Sequence, residues 1–476
     1  MGSLKIELKF YLRTKNQKGK PIQMMTKMIQ PCFKNQRHLS PWKVVFLLMT
    51  LTTLAVAQGG GGNAPDTKSS NPEYADFYTG ESGSSNKGID WVQAISVSSP
   101  AYCSDIKGDV TVNFTARGMT KAEVLCWQQP TKDNPNPWGH DVVVANVALD
   151  PSGNGSFVFH ADQFPNGPIM LRIHAKDEGK KQDLCQLQLF NQGGEVWNQG
   201  IPKNDPPAAQ GMKLLFSDDF NGPLSINGNG VGATYESHKT GGGDFSGWPF
   251  SNNEGAMNPF SQVGTFLRIH ASQPAGTKGS TGLISSFHED GTGVLATVPC
   301  YFECRFMAQS APGTWPAFWT LTQKDKDPQI KGCDEDDVIE AYGGMGPRNP
   351  NFIGYACTSH FWAQPKPAWL AEKGPDGKPL YHDHIDVPMM DLGGKSTWST
   401  TFHTYGLLVT EKDTVYYFDN MEVLRHPTGD ISKKEPIWFL INYAIGGISG
   451  WHIDLNRYGN QSDMWVDFVR VYQGSK

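Results

Sequence analysis

Apolar and polar positions alternate in short runs from about residue 89 to 196: GDVTVNFTA (108–116), KAEVLCW (121–127), DVVVANVAL (141–149), GSFVFHA (155–161) and PIMLRIHA (168–175). A period of two puts successive side chains on opposite faces, and turn residues interrupt the runs about every ten positions, so 89–196 is predicted to be a β-sandwich. His140 and Asp141 read here as solvated loop residues. Residues 197–211 are rich in Pro, Gly and Asn and read as a linker. Strand signals resume at 212 and continue to 476 with no long helical period, and one β domain of that length suits a jelly roll. The chain is therefore predicted to be all-β, a small sandwich followed by a larger one.

The N-terminal part follows different rules. Residues 58–88 are Gly, Ser, Asn and Asp with few apolar side chains, too little to order a fold, and read as a flexible linker. Before them, 43–57 (KVVFLLMTLTTLAVA) is one apolar run behind a basic stretch, ending in the small-x-small triplet Ala55-Val56-Ala57. It is short for a membrane span and has the form of a signal peptide cleaved near Gln58, with 1–57 as the leader. The long segment before it suggests a start at Met24, Met25 or Met28, or an uncleaved anchor. The expectation is a secreted or periplasmic protein with no stable membrane span.

The formal charge is -6 with no basic block in the body of the chain, which argues against a nucleic-acid partner. Gly (52), Trp (14), Tyr (15) and Phe (25) are plentiful. Glycine-rich turns suit an all-β fold, and flat aromatic rings suit the C–H faces of sugars. With Cys32 in the leader, Cys103, Cys126, Cys185, Cys300, Cys304, Cys333 and Cys357 remain, an odd number that leaves at least one thiol without an intrachain partner. Cys300 and Cys304 sit four apart in a strand-like run, roughly 13 Å between Cα atoms, too far to bridge each other.

The chemistry concentrates in Cys333-Asp334-Glu335-Asp336-Asp337-Val338-Ile339-Glu340. Carboxylates crowded together repel and raise one another's proton affinity. Yet Val338-Ile339 and Ala341-Tyr342 are strand formers, and Gly343-Gly344 ends the run. In a plain strand Glu335 and Asp337 share a face and Glu340 points away. One extra residue bulged at Val338-Ile339 returns Glu340 to their side. Two glutamates leaning together across such a cleft can reach the spacing of roughly 5–5.5 Å that a retaining glycosidase needs.

EDDVIE resembles the E-x-D-x-x-E signature of glycoside hydrolase family 16, in the bulged form of its laminarinase-like members. GTWPAFWTL (313–321), HTYGLLVTEKDTVYYFDN (403–420), INYAIGG (441–447), MWVDFVRVYQ (464–473) and SDDF (217–220) resemble further segments of that family in order, across nearly all of 212–475. The resemblance implies a concanavalin-like β-jelly roll with an open cleft, with Glu335 as nucleophile, Glu340 as acid/base and Asp337 assisting. The family carries Ile or Leu where this chain has Asp336, which should face the core. The sandwich before it loosely resembles an immunoglobulin-like or fibronectin-like accessory domain; it holds no candidate acid pair and is expected to be dispensable for chemistry.

By the same resemblance Trp315, Trp319 and His360 line the cleft near the cleavage point. Trp248 is expected to form a donor-side sugar wall, and Asn258, Trp362 and Trp451 are further loop candidates for substrate contact. No cofactor is expected for catalysis. The family's structural calcium, if kept, would sit on Asp467 with backbone oxygens near Asp219. The function implied is a retaining endo-β-glycosidase acting as a monomer on a β-1,3- or β-1,3/1,4-glucan-type polysaccharide. Two alternatives are a non-catalytic polysaccharide-binding protein on the same fold, of a kind that typically lacks the glutamates this chain retains, and a transglycosylase, whose usual signature is the unbulged E-x-D-x-E.

Overall fold

The computed structural model describes residues 90–323, 331–343, 354–449 and 452–475. The leader, the 58–88 linker and Trp451 lie outside them. Every strand named from the alternation in 89–196 is present: Asp109–Ala116, Lys121–Gln128, His140–Ala148, Asn154–His160 and Gly167–Lys176. They form a sandwich. Asn154–His160, Asp109–Ala116 and Ile95–Ser99 make a three-stranded sheet, and Lys181–Asn191, Gly167–Lys176, Lys121–Gln128 and His140–Ala148 make most of the other. Val112, Phe114, Val124, Phe159, Leu171, Ile173 and Leu187 fill its core. Asp141 is a strand residue paired with Arg172, with both side chains mostly buried, rather than a solvated loop group.

Residues from 213 onward form two eight-stranded sheets. One runs Phe260–Val263, Phe266–Ser272, Gln461–Gln473, Cys300–Ala308, His403–Val409, Asp413–Phe418, Met421–Pro427, with Lys213–Asp218 also on Gln461–Gln473. The other runs Ile226–Asn227, Tyr235–Glu236, Leu283–Ser285, Ile437–Ile445, Thr314–Thr322, Cys333–Glu340, Tyr355–Trp362, His384–Val387. Half of the neighbouring pairs in these sheets join strands that are not consecutive in sequence, as crossing jelly-roll connections require. Among the described residues no helix is long and apolar enough to cross a membrane.

Period two divides the second sheet into two apolar faces. Phe318, Ile339, Phe439 and Ile441 belong to the main core. Trp315, Ala317, Trp319, Leu321, Trp438 and Leu440 form a separate cluster on the other face, with Phe245, Phe250, Tyr342 and Trp362 packed against it. This aromatic floor is where the acidic strand presents its odd-numbered carboxylates.

The sandwich and the jelly roll are packed together over a buried surface. Met170 and Phe190 from the first join Phe266, Met307 and Trp465 from the second in one apolar cluster. Arg457 donates to both oxygens of buried Asp183 at 3.0–3.1 Å. Gln186 accepts from Ser310 N–H at 3.1 Å, and Gln188 donates to the Asp463 carbonyl at 3.2 Å. The 197–211 linker is likewise pinned: Asp205 accepts from the Tyr472 hydroxyl at 2.9 Å, and the Pro202 and Asn204 carbonyls accept from Arg470. All seven cysteines from 103 to 357 are free thiols. Cys300 and Cys304 do not bridge each other, as the strand spacing predicts.

Candidate active site

The acidic segment is a strand from Cys333 to Glu340, between Thr314–Thr322 and Tyr355–Trp362. Its register against the first neighbour passes from Trp319↔Asp337 to Phe318↔Ile339, so Val338 is the extra residue. Against the second the pairing breaks between Asp337 and Glu340. This is the predicted bulge, and it returns Glu340 to the face of Glu335 and Asp337. The strand ends at Glu340, and three residues on, at Gly343, a Cβ would lie 2.0 Å from both the Ala311 carbonyl and the Thr314 hydroxyl, so no larger residue fits.

The three carboxylates form a connected group. One oxygen of Glu335, one of Asp337 and a ring nitrogen of His360 lie within 4.8 Å of one another. His360 Nε2 is 3.2 Å from Asp337 Oδ2, and Asp337 is hydrogen-bonded to Glu340. Each glutamate also has its own tryptophan. The Trp315 indole donates to Glu340 Oε1 at 3.1 Å, joined by the Tyr342 hydroxyl at 3.3 Å, and Trp362 hydrogen-bonds Glu335. The Trp362 ring stacks on His360 at 5.1 Å.

The two glutamates sit in unlike surroundings. Burial raises both carboxyls. For Glu340 the charge of Asp337 adds to that rise, His360 opposes it and Glu335 adds a smaller part, and Glu340 is pushed well above the ordinary range. For Glu335 the rise is opposed first by His360 and then by Lys239 and Trp362. Asp337 is itself raised well up, first by burial and then by Glu335. Asp337 and Glu340 are thus raised further than Glu335, which is the more readily ionised glutamate. Carboxylates whose environments separate their proton affinities in this way are suited to acid and nucleophile roles.

Other predicted residues fall on both sides. Trp319 lies in the floor, its indole donating to Asn442 Oδ1 at 2.8 Å. Trp248 does not reach the cleft: it is 3% exposed in the main core, with its ring against Gly279, where a Cβ would be 2.8 Å away. The aromatic that the same loop delivers is Phe245, 5.3 Å from Trp315 and 5.8 Å from Trp319 between ring centroids. Asn258 caps a turn into the opposite sheet, accepting from Phe260 N–H at 2.8 Å, and is not brought to the carboxylates. Asn442, Tyr342, Phe245 and Lys239 were missed. Tyr342 was within reach, since it lies two beyond Glu340 on the same face.

Asp467, the carboxylate proposed for calcium, is already partnered. Asp467 is fully buried, but one oxygen accepts from Gly200 N–H at 2.8 Å and the other is paired with Arg305. Arg305 also donates to the Asn198 carbonyl at 2.6 Å and lies 5.0 Å over the Phe402 ring. Burial raises the Asp467 carboxyl, and Arg305 supplies the opposing positive charge. A calcium ion would have to displace a guanidinium that is itself hydrogen-bonded. Excess EDTA should therefore leave Tm unchanged to within about 1 °C in a thermal melt, whereas a bound ion would raise it by several degrees through mass action. A calcium-dependent rise would overturn this assignment of Asp467.

No protein-family model matches the chain. Sequence relatives do. The endo-1,3-1,4-β-glycanase EglC of Rhizobium meliloti (strain 1021) is 28% identical over 285 residues, covering 55% of this chain and 52% of that protein. The endo-1,3-1,4-β-glycanase ExsH of the same strain is 27% identical over 283 residues with the same coverage. Among solved structures, the laminarinase from Rhodothermus marinus is 22% identical with a TM-score of 0.39, over 56% of this chain and 98% of that one. The chain spans about half the length of the two glycanases it matches. The relatives are glycoside hydrolases of the endo-β-glucanase type, in agreement with the resemblance carried by EDDVIE and its flanking segments.

Proposed function

We propose that this chain is a secreted retaining endo-β-glycosidase that hydrolyses a β-1,3- or β-1,3/1,4-glucan-type polysaccharide, with Glu335 as nucleophile and Glu340 as acid/base. One observation carries the reading: the bulge at Val338 puts three carboxylates on one aromatic-floored face, each glutamate held by its own tryptophan. A protein that only bound glucan would have no use for that costly grouping. The relatives' names suggest the substrate class, and a polymeric substrate of this kind suits an exported enzyme.

The reaction follows from the positions. A glucan lies over Trp315, Trp319 and Phe245, whose faces pack against sugar C–H surfaces. Ionised Glu335 attacks the anomeric carbon. As the glycosidic C–O bond breaks, Glu340 passes its proton to the departing oxygen. A glycosyl ester on Glu335 results. Glu340, now a carboxylate, takes a proton from water, whose oxygen attacks the same carbon and frees Glu335. Asp337 shares the proton with Glu340 before the first displacement and again after the second, and His360 offsets its charge.

Two displacements at one carbon retain configuration, so proton NMR of early product from a β-linked glucan should show the β-anomer first and the α-anomer later by mutarotation. An initial α-anomer would mean that water attacks directly, and Glu335 would not be a nucleophile.

A further inference from the structure

The catalytic strand carries charge on its core side as well. Asp336 is buried between the two sheets of the jelly roll, directly behind Glu335 and Asp337, in a position where an apolar side chain would cost nothing to bury. Its Oδ1 accepts from Ser359 Oγ at 2.5 Å and from the Tyr416 hydroxyl at 3.0 Å. Ser359 faces it from the next strand of the same sheet. Tyr416 belongs to the opposite sheet, and so does His426, whose Nε2 is 2.8 Å from Ser359 Oγ. The other nitrogen of His426 is 3.0 Å from the Pro427 carbonyl, and Trp369 stacks on its ring at 4.9 Å. All four polar residues are 5% exposed or less.

The contacts, which include 2.6 Å between Ser359 Oγ and the Tyr416 hydroxyl, admit an ionised arrangement. Ser359 has one hydroxyl hydrogen. If it goes to Asp336, the contact with His426 needs an N–H on Nε2, and the Pro427 carbonyl needs one on Nδ1. The set is then a carboxylate and an imidazolium joined through a serine, neutral overall, with its negative end against the catalytic strand. Burial raises the Asp336 carboxyl, and His426, Ser359 and Tyr416 oppose that rise; burial of such a pair is tolerated when every hydrogen bond is made.

We propose that Asp336 is a positioning residue: held by Ser359, Tyr416 and His426, it keeps a negative charge behind Glu335 and Asp337 and so helps retain the proton that the cleft carboxylates share. This rests on the assignment of Glu335 and Glu340 above. The charge of Asp336 raises both Glu335 and Asp337, though burial is the larger cause in each. The other titratable groups around Asp336 are Asp334 on its own strand, Cys300, Tyr416 and His426 from the opposite sheet, and Cys357 beside Tyr416.

Asp336→Asn keeps the shape and the bond from Tyr416 while removing the charge. Removing a negative charge lowers the proton affinity of its neighbours, so both limbs of the kcat/KM pH profile should move to lower pH, by about half a unit. KM for a short oligosaccharide should stay within about twofold, because Asp336 does not face the cleft. Ser359→Ala is the second variant. It cuts the link to His426, so Asp336 takes up the proton and the profile should shift the same way. Wild-type profiles in folded D336N and S359A would overturn the inference. Glu335→Gln in the same assay separates the two claims. If E335Q is inactive and both profiles stand still, this inference alone fails; if E335Q remains active, the underlying assignment fails first.

Discussion

Glu335→Gln should lower kcat by at least about 10³-fold on any glucan the wild-type protein cuts, because it removes the atom that forms the covalent intermediate. The amide matches the carboxylate in shape and can still meet Trp362 and His360, so binding should change much less than turnover. Two controls fix the role. Glu335→Ala with azide should regain turnover on an aryl β-glycoside, since a small anion fills the space and attacks from the same side, giving an α-glycosyl azide. Glu340→Gln should instead keep rapid glycosylation from substrates with good leaving groups, which need no acid. Hydrolysis by E335Q within tenfold of wild type would end the assignment.

Much of that site was legible because strand periodicity is rigid. Glu335 and Asp337 share a face at spacing two, and the spacing of three to Glu340 demanded a bulge, which Val338 supplies. Trp315 and Trp319, four apart, lie on the same floor for the same reason. What failed lay in loops. In GGGDFSGWPF either Phe245 or Trp248 could have turned toward the cleft, and the choice depends on Gly279, thirty-one residues after Trp248, which leaves room for the indole in the core. Long-range contacts of that kind leave no local period. Asp467 differs: its acidic character was plain, but the guanidinium that pairs with it comes from Arg305 on another strand.

The alternating pattern also concealed the contact between the sandwich and the jelly roll, and this has a large consequence. KQDLCQLQLFN (181–191) has Gln182, Gln186 and Gln188 at even positions, which reads as one face in water. The strand is instead buried on both faces beyond its first two residues. A polar row looks the same in sequence whether it meets solvent or the polar groups of another sheet. A chain beginning at Gln210 would strip the cover from Phe266, Met307 and Trp465, each 2% exposed or less. Exposing large apolar side chains costs about 1.5–3 kcal/mol each. Three of them approach the total stability of a domain, about 5–15 kcal/mol. Arg457 would lose Asp183, its bidentate partner. The expectation that the sandwich is dispensable for chemistry therefore becomes one of inseparability: the 210–476 fragment should be insoluble or melt many degrees below the 90–476 protein, with glucanase activity lost in step with folding. Arg457→Ala in the full chain tests the same contact without truncation. It leaves buried Asp183 with the Ala94 and Ile95 N–H donors alone, at 2.7 Å each, and should lower stability by about 3 kcal/mol in a denaturant titration. A 210–476 fragment that melts with the parent and keeps its kcat would show that the buried surface contributes little.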